Sequence, residues 1–305
     1  MSRSHLSIFF LIKFHIFLLT SNALFSQNDN FIKNYYPHIN KAEMYIVDSN
    51  FKEAYLHYEK AFKNVHSPFV KDIHNALICS IKLKLKKKSY IYLKKMANKG
   101  LPLENLKNND YIKLYIEKNN LQKFYMKNYK DKSNNDLVLK LEALLNIDQT
   151  LRKLPNIPKK ELWKQDSINA KNLIDLFSTY GFPNEEEIGY KGILPKEELY
   201  NLIIIHQNQI SGIFDFREII YKNVFSGNIL PNTALLLMFF QEKSDSLGFE
   251  YTNFNPILNF EINRINKYRE DWGIESIGNY LKKNDFSKKN KNYEFNIKEL
   301  KISNN

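Results

Sequence analysis

A chain of 305 residues with 43% hydrophobic and 14% aromatic content can hold two domains with cores of ordinary size. Nine Gly and nine Pro favour helices over a turn-rich all-β fold. The formal charge of +12 is carried by Lys over Arg, 40 to 5. Arg is the residue suited to forked phosphate and base contacts, so this balance argues against nucleic acid as a partner.

The first 26 residues read as an export signal. Arg3 lies in a short basic region, an apolar segment runs over 6–19, and Ser21-Asn22-Ala23-Leu24-Phe25-Ser26 precedes Gln27. Lys13 and His15 interrupt the apolar segment and make it a poor membrane span. The expectation is removal of 1–26 and an exported chain, periplasmic or extracellular, with no stable membrane span after processing. No Cys lies near the junction, so a lipoprotein anchor is not indicated, and the lone Cys79 cannot form an internal disulfide.

Residues 38–64 read as two amphipathic helices joined at Asp48-Ser49-Asn50. The second carries Phe51, Ala54, Tyr55, Tyr58, Ala61 and Phe62 as one stripe at helical spacing. Small residues let helices approach, and aromatics fill the gap between neighbouring hairpins. Ala42, Ala54 and Ala61, with Tyr45 and Tyr58 between them, resemble a tetratricopeptide repeat. The period returns at Ala76, Cys79 and Tyr92 and fails at Lys88 and Lys95, where Ala is expected. Residues 31–128 are therefore read as tetratricopeptide-like helical repeats, with a degenerate second hairpin over 69–99 and a third over 103–128. The resemblance implies a shallow concave surface for an extended or helical peptide, with Tyr45, Tyr58 and Tyr92 as contact residues. An unrelated pair of α-hairpins is the alternative. The basic run 82–99 reads as a solvated face or as a contact for an acidic partner.

The polar, aperiodic stretch 127–135 marks a boundary, followed by a helical domain over 136–285 and a polar tail over 286–305. In 136–154 the apolar stripe Leu137, Leu141, Leu144, Leu145 and Leu151 also carries Asp148 and Arg152. In 160–180 a stripe through Leu162, Leu173, Leu176 and Tyr180 carries Asp166 and Asn169. Gly181-Phe182-Pro183 stops that helix, and the acidic run Glu185-Glu186-Glu187 follows. A helix opening at Pro195 runs Leu202-Ile203-Ile204-Ile205 into His206-Gln207. Further helices are expected over 216–225, from Asn232, from Asn255-Pro256 to about 271, and over 274–283.

Asp148, Arg152, Asp166, Asn169 and His206 all sit on or beside apolar faces, where charge is costly unless paired, so they are expected to meet. One reading is structural: an Asp–Arg pair with Asn and His satisfying leftover groups, fixing how three helices dock. Here His206 is shielded, neutral and bonded to neutral neighbours. The other is catalytic: a carboxylate, Asp148 or Asp166, orients His206 while Arg152 holds an anion. No H-E-x-x-H spacing, Gly-rich phosphate loop or G-x-S-x-G elbow occurs, and no cofactor or metal is expected.

The order Asp148-Gln149-Thr150-Leu151-Arg152, Asp166, Asn169, Gly181-Phe182-Pro183, Gly189, His206-Gln207, Ala234 and Tyr251-Thr252 resembles bacterial domain-of-unknown-function family 6624, over 136–255. That family's pattern has Gln before His, an Asp-Arg pair where this chain has Met238-Phe239, and a Gly inside the Tyr-Thr turn. The resemblance implies no established activity, and the departures count against a working catalytic site. The sequence thus leads to an exported, all-α, two-part protein that binds a protein or peptide of the envelope. A hydrolase-like enzyme using His206 with Asp148 or Asp166 is the other reading.

Overall fold

The computed structural model describes residues 30–210, 214–242 and 259–295. The expected export signal, the Ser26-Gln27 junction, Tyr251-Thr252, the helix start at Asn255-Pro256 and the end of the tail lie outside the described residues. Helices carry almost all the regular structure, so the fold class is all-α.

A π-helical turn, Phe31–Tyr35, leads into α1 (Tyr36–Val47) and α2 (Phe51–Lys63). Pro37 sits in the first turn of α1, where its missing N–H costs nothing. Ser49 takes a left-handed φ of 58° in the turn, and Asn50 caps α2 by accepting from the Glu53 N–H at 3.3 Å. Ala42, Ala54 and Ala61 are fully buried where the two helices approach. The second hairpin is α3 (Val70–Lys82) with α4 (Lys86–Asn98). At the positions where Ala was expected, Lys88 bonds Glu59 and Lys95 lies 5.7 Å from the centre of the Phe62 ring, both reaching across to α2. Long stems with charged heads fill what small residues fill elsewhere.

Two expectations change here. The third unit is three short helices, α5 (Leu103–Lys107), α6 (Asp110–Lys118) and α7 (Gln122–Asn128), and not one hairpin. The cause is local: Asn109 caps a new helix through the Ile112 N–H at 3.2 Å, and Asn120 turns left-handed at φ 52°. Tyr58 and Tyr92 do not face a groove. Both are buried between the hairpins, and Tyr92 donates to Glu59 Oε1 at 2.6 Å. Their bulk fills the gap between neighbouring units, which removes them as contact residues for a partner. Tyr45 is half-buried beside the His57 ring.

The stretch 127–135 is tied down by Lys130 N–H to Ala97 O and Asn134 N–H to Glu187 O. Then come α8 (Asn135–Arg152), α9 (Lys159–Tyr180), α10 (Glu185–Ile188) and a two-residue antiparallel ladder, β1 (Tyr190–Lys191) with β2 (Leu194–Pro195). The helix expected from Pro195 starts later, as α11 (Glu198–Ile210), because Pro195 is held in the ladder opposite Tyr190. After it come α12 (Arg217–Phe225), α13 (Pro231–Glu242), α14 (Asn259–Asp271) and α15 (Ile277–Lys289). Buried Glu197 accepts from the Leu230 N–H at 3.1 Å and from the Thr233 hydroxyl, placing a carboxylate at the positive end of α13.

The chain after 286 is no free polar tail as far as it is described. Residues 286–289 complete α15, Tyr293 and Phe295 are buried, and Asn75 exchanges two hydrogen bonds with the Glu294 backbone, at 2.8 and 3.1 Å. Buried Lys283 bonds Glu43 at 2.5 Å and Glu275 at 2.7 Å, and Glu43 also takes Lys71 at 2.9 Å. The last described residues are thereby locked onto the first hairpins, and one hydrophobic cluster runs from Phe31 to Phe295.

Candidate functional site

α8, α9 and α11 pack on one another, and each delivers polar side chains to the same place. The α8 stripe Leu137, Leu141 and Leu144 is buried, and Asp148, one turn on, follows it inward. Asp166 and Asn169 reach the site on the buried face of α9 beside Ala170 and Leu173. Ile203 and Ile204 bury α11 and set His206 at the edge.

The carboxylate of Asp148 is the hub. Its Oδ2 lies 2.9 Å from His206 Nδ1, and the Gln149 amide donates to it at 2.7 Å. Arg152 donates from Nη2 to Asp148 Oδ1 at 3.2 Å and from the same nitrogen to Asp166 Oδ1. Arg152 therefore bridges two carboxylates that would otherwise repel. The Asp148 side chain is 1% exposed, against 16% for His206 and 24% for Arg152. The acids form the floor and the two bases the rim.

Burial alone raises the pKa of Asp148, but the His206 hydrogen bond and Arg152 outweigh it and hold the carboxyl below its ordinary range. Asp166 goes the other way: burial and the Asp148 charge lift it above the ordinary range despite Arg152. An ionised Asp148 can only accept, so His206 Nδ1 carries the proton and donates. In a neutral imidazole Nε2 then keeps its lone pair, and it has no hydrogen-bond partner among the described residues. A carboxylate that fixes a His tautomer, with the other nitrogen free at a partly open edge, can take a proton from a bound molecule. Asp166 Oδ2 and Asn169 Nδ2 are buried without hydrogen-bond partners among the described residues, while the Gln165 amide donates to Asn169 Oδ1 at 2.9 Å.

Of the five residues expected to meet, Asp148, Arg152, Asp166 and His206 are joined by hydrogen bonds, whereas Asn169 bonds Gln165 of its own helix. His206 is largely shielded as expected, with 16% of its side chain exposed, but its bonded partner is the Asp148 carboxylate and not a neutral neighbour. Arg152 reaches both acids at once, which leaves Asp148 free to take His206.

A second feature escaped the sequence reading. A cleft of ≈ 580 Å³ opens where the helical hairpins meet the rest of the chain, lined by Lys95, Asn98 and Lys99 of the hairpins, by Glu185 and Glu186, and by Ser226 and Asn228. Phe31, Pro68 and Phe69 supply apolar wall. Lys99 Nζ lies 2.6 Å from Glu186 and 3.1 Å from Glu185, and Lys132 meets Glu186 at 2.6 Å. Glu185 also accepts from the Val70 N–H at 3.0 Å, capping α3. Burial pushes Glu185 up to about 7, since Lys99 is shared with Glu186. Burial, with Lys88 and Lys99 nearby, lowers Lys95. Lys95 forms no ion pair among the described residues. Gly227, at φ 75°, lets this rim close onto Phe31, whose ring would stand 2.4 Å from an added Cβ. The acidic run 185–187 and the Lys99-Gly100 helix end are visible in the sequence, but nothing local marks them as partners.

Among the described residues no group of three or more His, Cys, Asp or Glu is placed to hold a metal ion, and no helix is long and apolar enough to cross a membrane. No protein-family model, curated protein or solved structure matches this chain.

Proposed function

We propose that this protein is an exported binding scaffold that holds a peptide segment in the cleft between its helical hairpins and its C-terminal part. The observation that carries this reading is the composition of the cleft wall. Lys99 and Lys132 are paired with Glu185 and Glu186, whereas Lys95 has no ion pair among the described residues and can meet an incoming acid. Asn98, Ser226 and Asn228 add hydrogen-bonding groups beside the edges of the buried Phe69 and Pro68. A few placed polar groups on an apolar wall are what a ligand site requires. The ligand is a peptide with an acidic group next to an apolar side chain. In this reading the tetratricopeptide-like hairpins act through their junction and not through Tyr58 and Tyr92, and the likeness to family 6624 describes the second half.

A random peptide library panned on the wild type tests this. Ser226→Trp obstructs the cleft and Lys95→Glu reverses the charge on its wall. Enriched peptides should lose at least tenfold affinity, ~1.4 kcal/mol, with either variant. Enrichment that ignores both variants removes the cleft from the account.

One observation favours a second reading, a hydrolase-like enzyme: the 2.9 Å contact between Asp148 and His206, whose side chain is 16% exposed. There Nε2 takes a proton from water or a substrate hydroxyl, and Asp148 stabilises the imidazolium. Ester, phosphoester, glycoside and peptide substrates screened with wild type and His206→Gln separate the two. Turnover that His206→Gln abolishes selects the enzyme.

A further inference from the structure

α8 ends at Arg152 and α9 begins at Lys159, so six residues join two long helices and everything from 153 to 164 lies at one end of the hairpin. That end is apolar and exposed. Leu154 is 52% and Trp163 47% exposed, and Ile147, two turns before Leu154 on α8, is exposed too. An exposed Trp carries a large apolar area that a solvated surface gains nothing from. Around them stand Lys153, Lys159, Lys160 and Lys164, all exposed, against the single acid Glu161.

We propose that this hairpin end docks on an anionic lipid surface, with Leu154 and Trp163 entering the headgroup layer and the four lysines meeting lipid phosphates. Charge selects this occupant. The segment carries a net charge of about +3, so a second copy of the same surface is repelled, whereas an anionic bilayer is attracted. The residue types match that occupant: an indole ring is at home at the depth of the headgroups, and Lys keeps its stem on the apolar side and its ammonium in water. The insertion is shallow. The helices flanking the end keep their buried faces on the protein core through Leu141, Leu144, Ala170 and Leu173, so only the end is available.

The chain holds two Trp residues, and Trp272 is 6% exposed. Trp163 emission therefore reports the end directly, and Trp272→Phe makes it the sole reporter. The full chain is sedimented with vesicles of phosphatidylglycerol or of phosphatidylcholine, and Trp emission is read in parallel. Binding to phosphatidylglycerol with a blue shift is expected, and little binding to phosphatidylcholine. Leu154→Ser and Trp163→Ser should each weaken partition about tenfold, and each Lys→Gln at 153, 159, 160 or 164 about fivefold. All six positions are exposed, so melting temperatures should not move. The pair Lys86→Gln and Lys87→Gln, exposed on α4, is the control and should change partition by less than about twofold. The proposal is overturned if the control weakens binding as much as the hairpin variants, because attraction is then only the overall charge. It is also overturned if Trp163 emission stays unshifted, or if the exposed end instead drives concentration-dependent self-association or captures an acidic peptide without vesicles.

Discussion

Replacing His206 by Ala, and by Gln, measures how far the Asp148 hub holds three helices together. The imidazole donates to an ionised carboxylate that is 1% exposed, and hydrogen bonds to charged groups contribute about 1.5–3 kcal/mol. Truncation does not leave Asp148 bare, since Gln149 and Arg152 still donate to it. The lower half of that range applies to the bond, about 1.5 kcal/mol, and a partly exposed cavity adds ~1 kcal/mol. His206→Ala should therefore cost about 2–3 kcal/mol. Gln offers an amide N–H to Asp148 and fills most of the space, so His206→Gln should lose ~1 kcal/mol. Arg152→Met leaves two adjacent carboxylates without their shared cation and should cost the most, about 3–4 kcal/mol, at the lower end for a broken buried pair because Arg152 is 24% exposed. Urea denaturation at pH 7, with m held constant, ranks the three. Asp148 has a lowered folded pKa, so its contribution is present above the unfolded carboxylate value and is lost as pH falls through the folded one. The gap between wild type and His206→Ala should accordingly narrow below pH ~4. Three variants within ~0.5 kcal/mol of wild type would refute the idea that this cluster sets the helix docking.

Glu185 gives a second pH dependence of opposite sign. Its folded pKa is raised from 4.5 to about 7, so the folded state keeps the proton longer and stability falls as pH rises between these values. The full loss, about 3 kcal/mol, is reached above pH 7; Glu185→Gln should abolish this slope and melt above wild type at pH 8 and near it at pH 5. Lys283→Met strips Glu43 and Glu275 of a cation that is 2% exposed. It should cost about 3–5 kcal/mol and free the C-terminal end for early proteolysis; a cut pattern unchanged from wild type would mean that Lys283 does not hold that end.

Periodicity made much of the fold legible. Leu137, Leu141 and Leu144 with Asp148 share one helical stripe, and the structure buries all four. Ala42, Ala54 and Ala61 announced close helix approach, and Asp48-Ser49-Asn50 announced the turn. What periodicity cannot carry is the choice among partners. Arg152 could be placed beside either acid, but that it spans both and frees Asp148 for His206 depends on where α9 sits in space. The pair Lys99–Glu186 joins positions 87 apart with no local signature. Lys95 looked like a failed repeat position and instead lines the cleft. The polar composition after 286 concealed Tyr293 and Phe295, whose burial depends on a surface supplied by the first hairpins.

Whether the cleft holds a peptide is decided by a structure of the protein with a peptide from the library. Peptide density should lie against Phe69 and Pro68 with an acidic group within about 3.2 Å of Lys95 Nζ. A peptide seated beside His206, on the Tyr45 face, or anywhere that leaves Lys95 without a contact would contradict it.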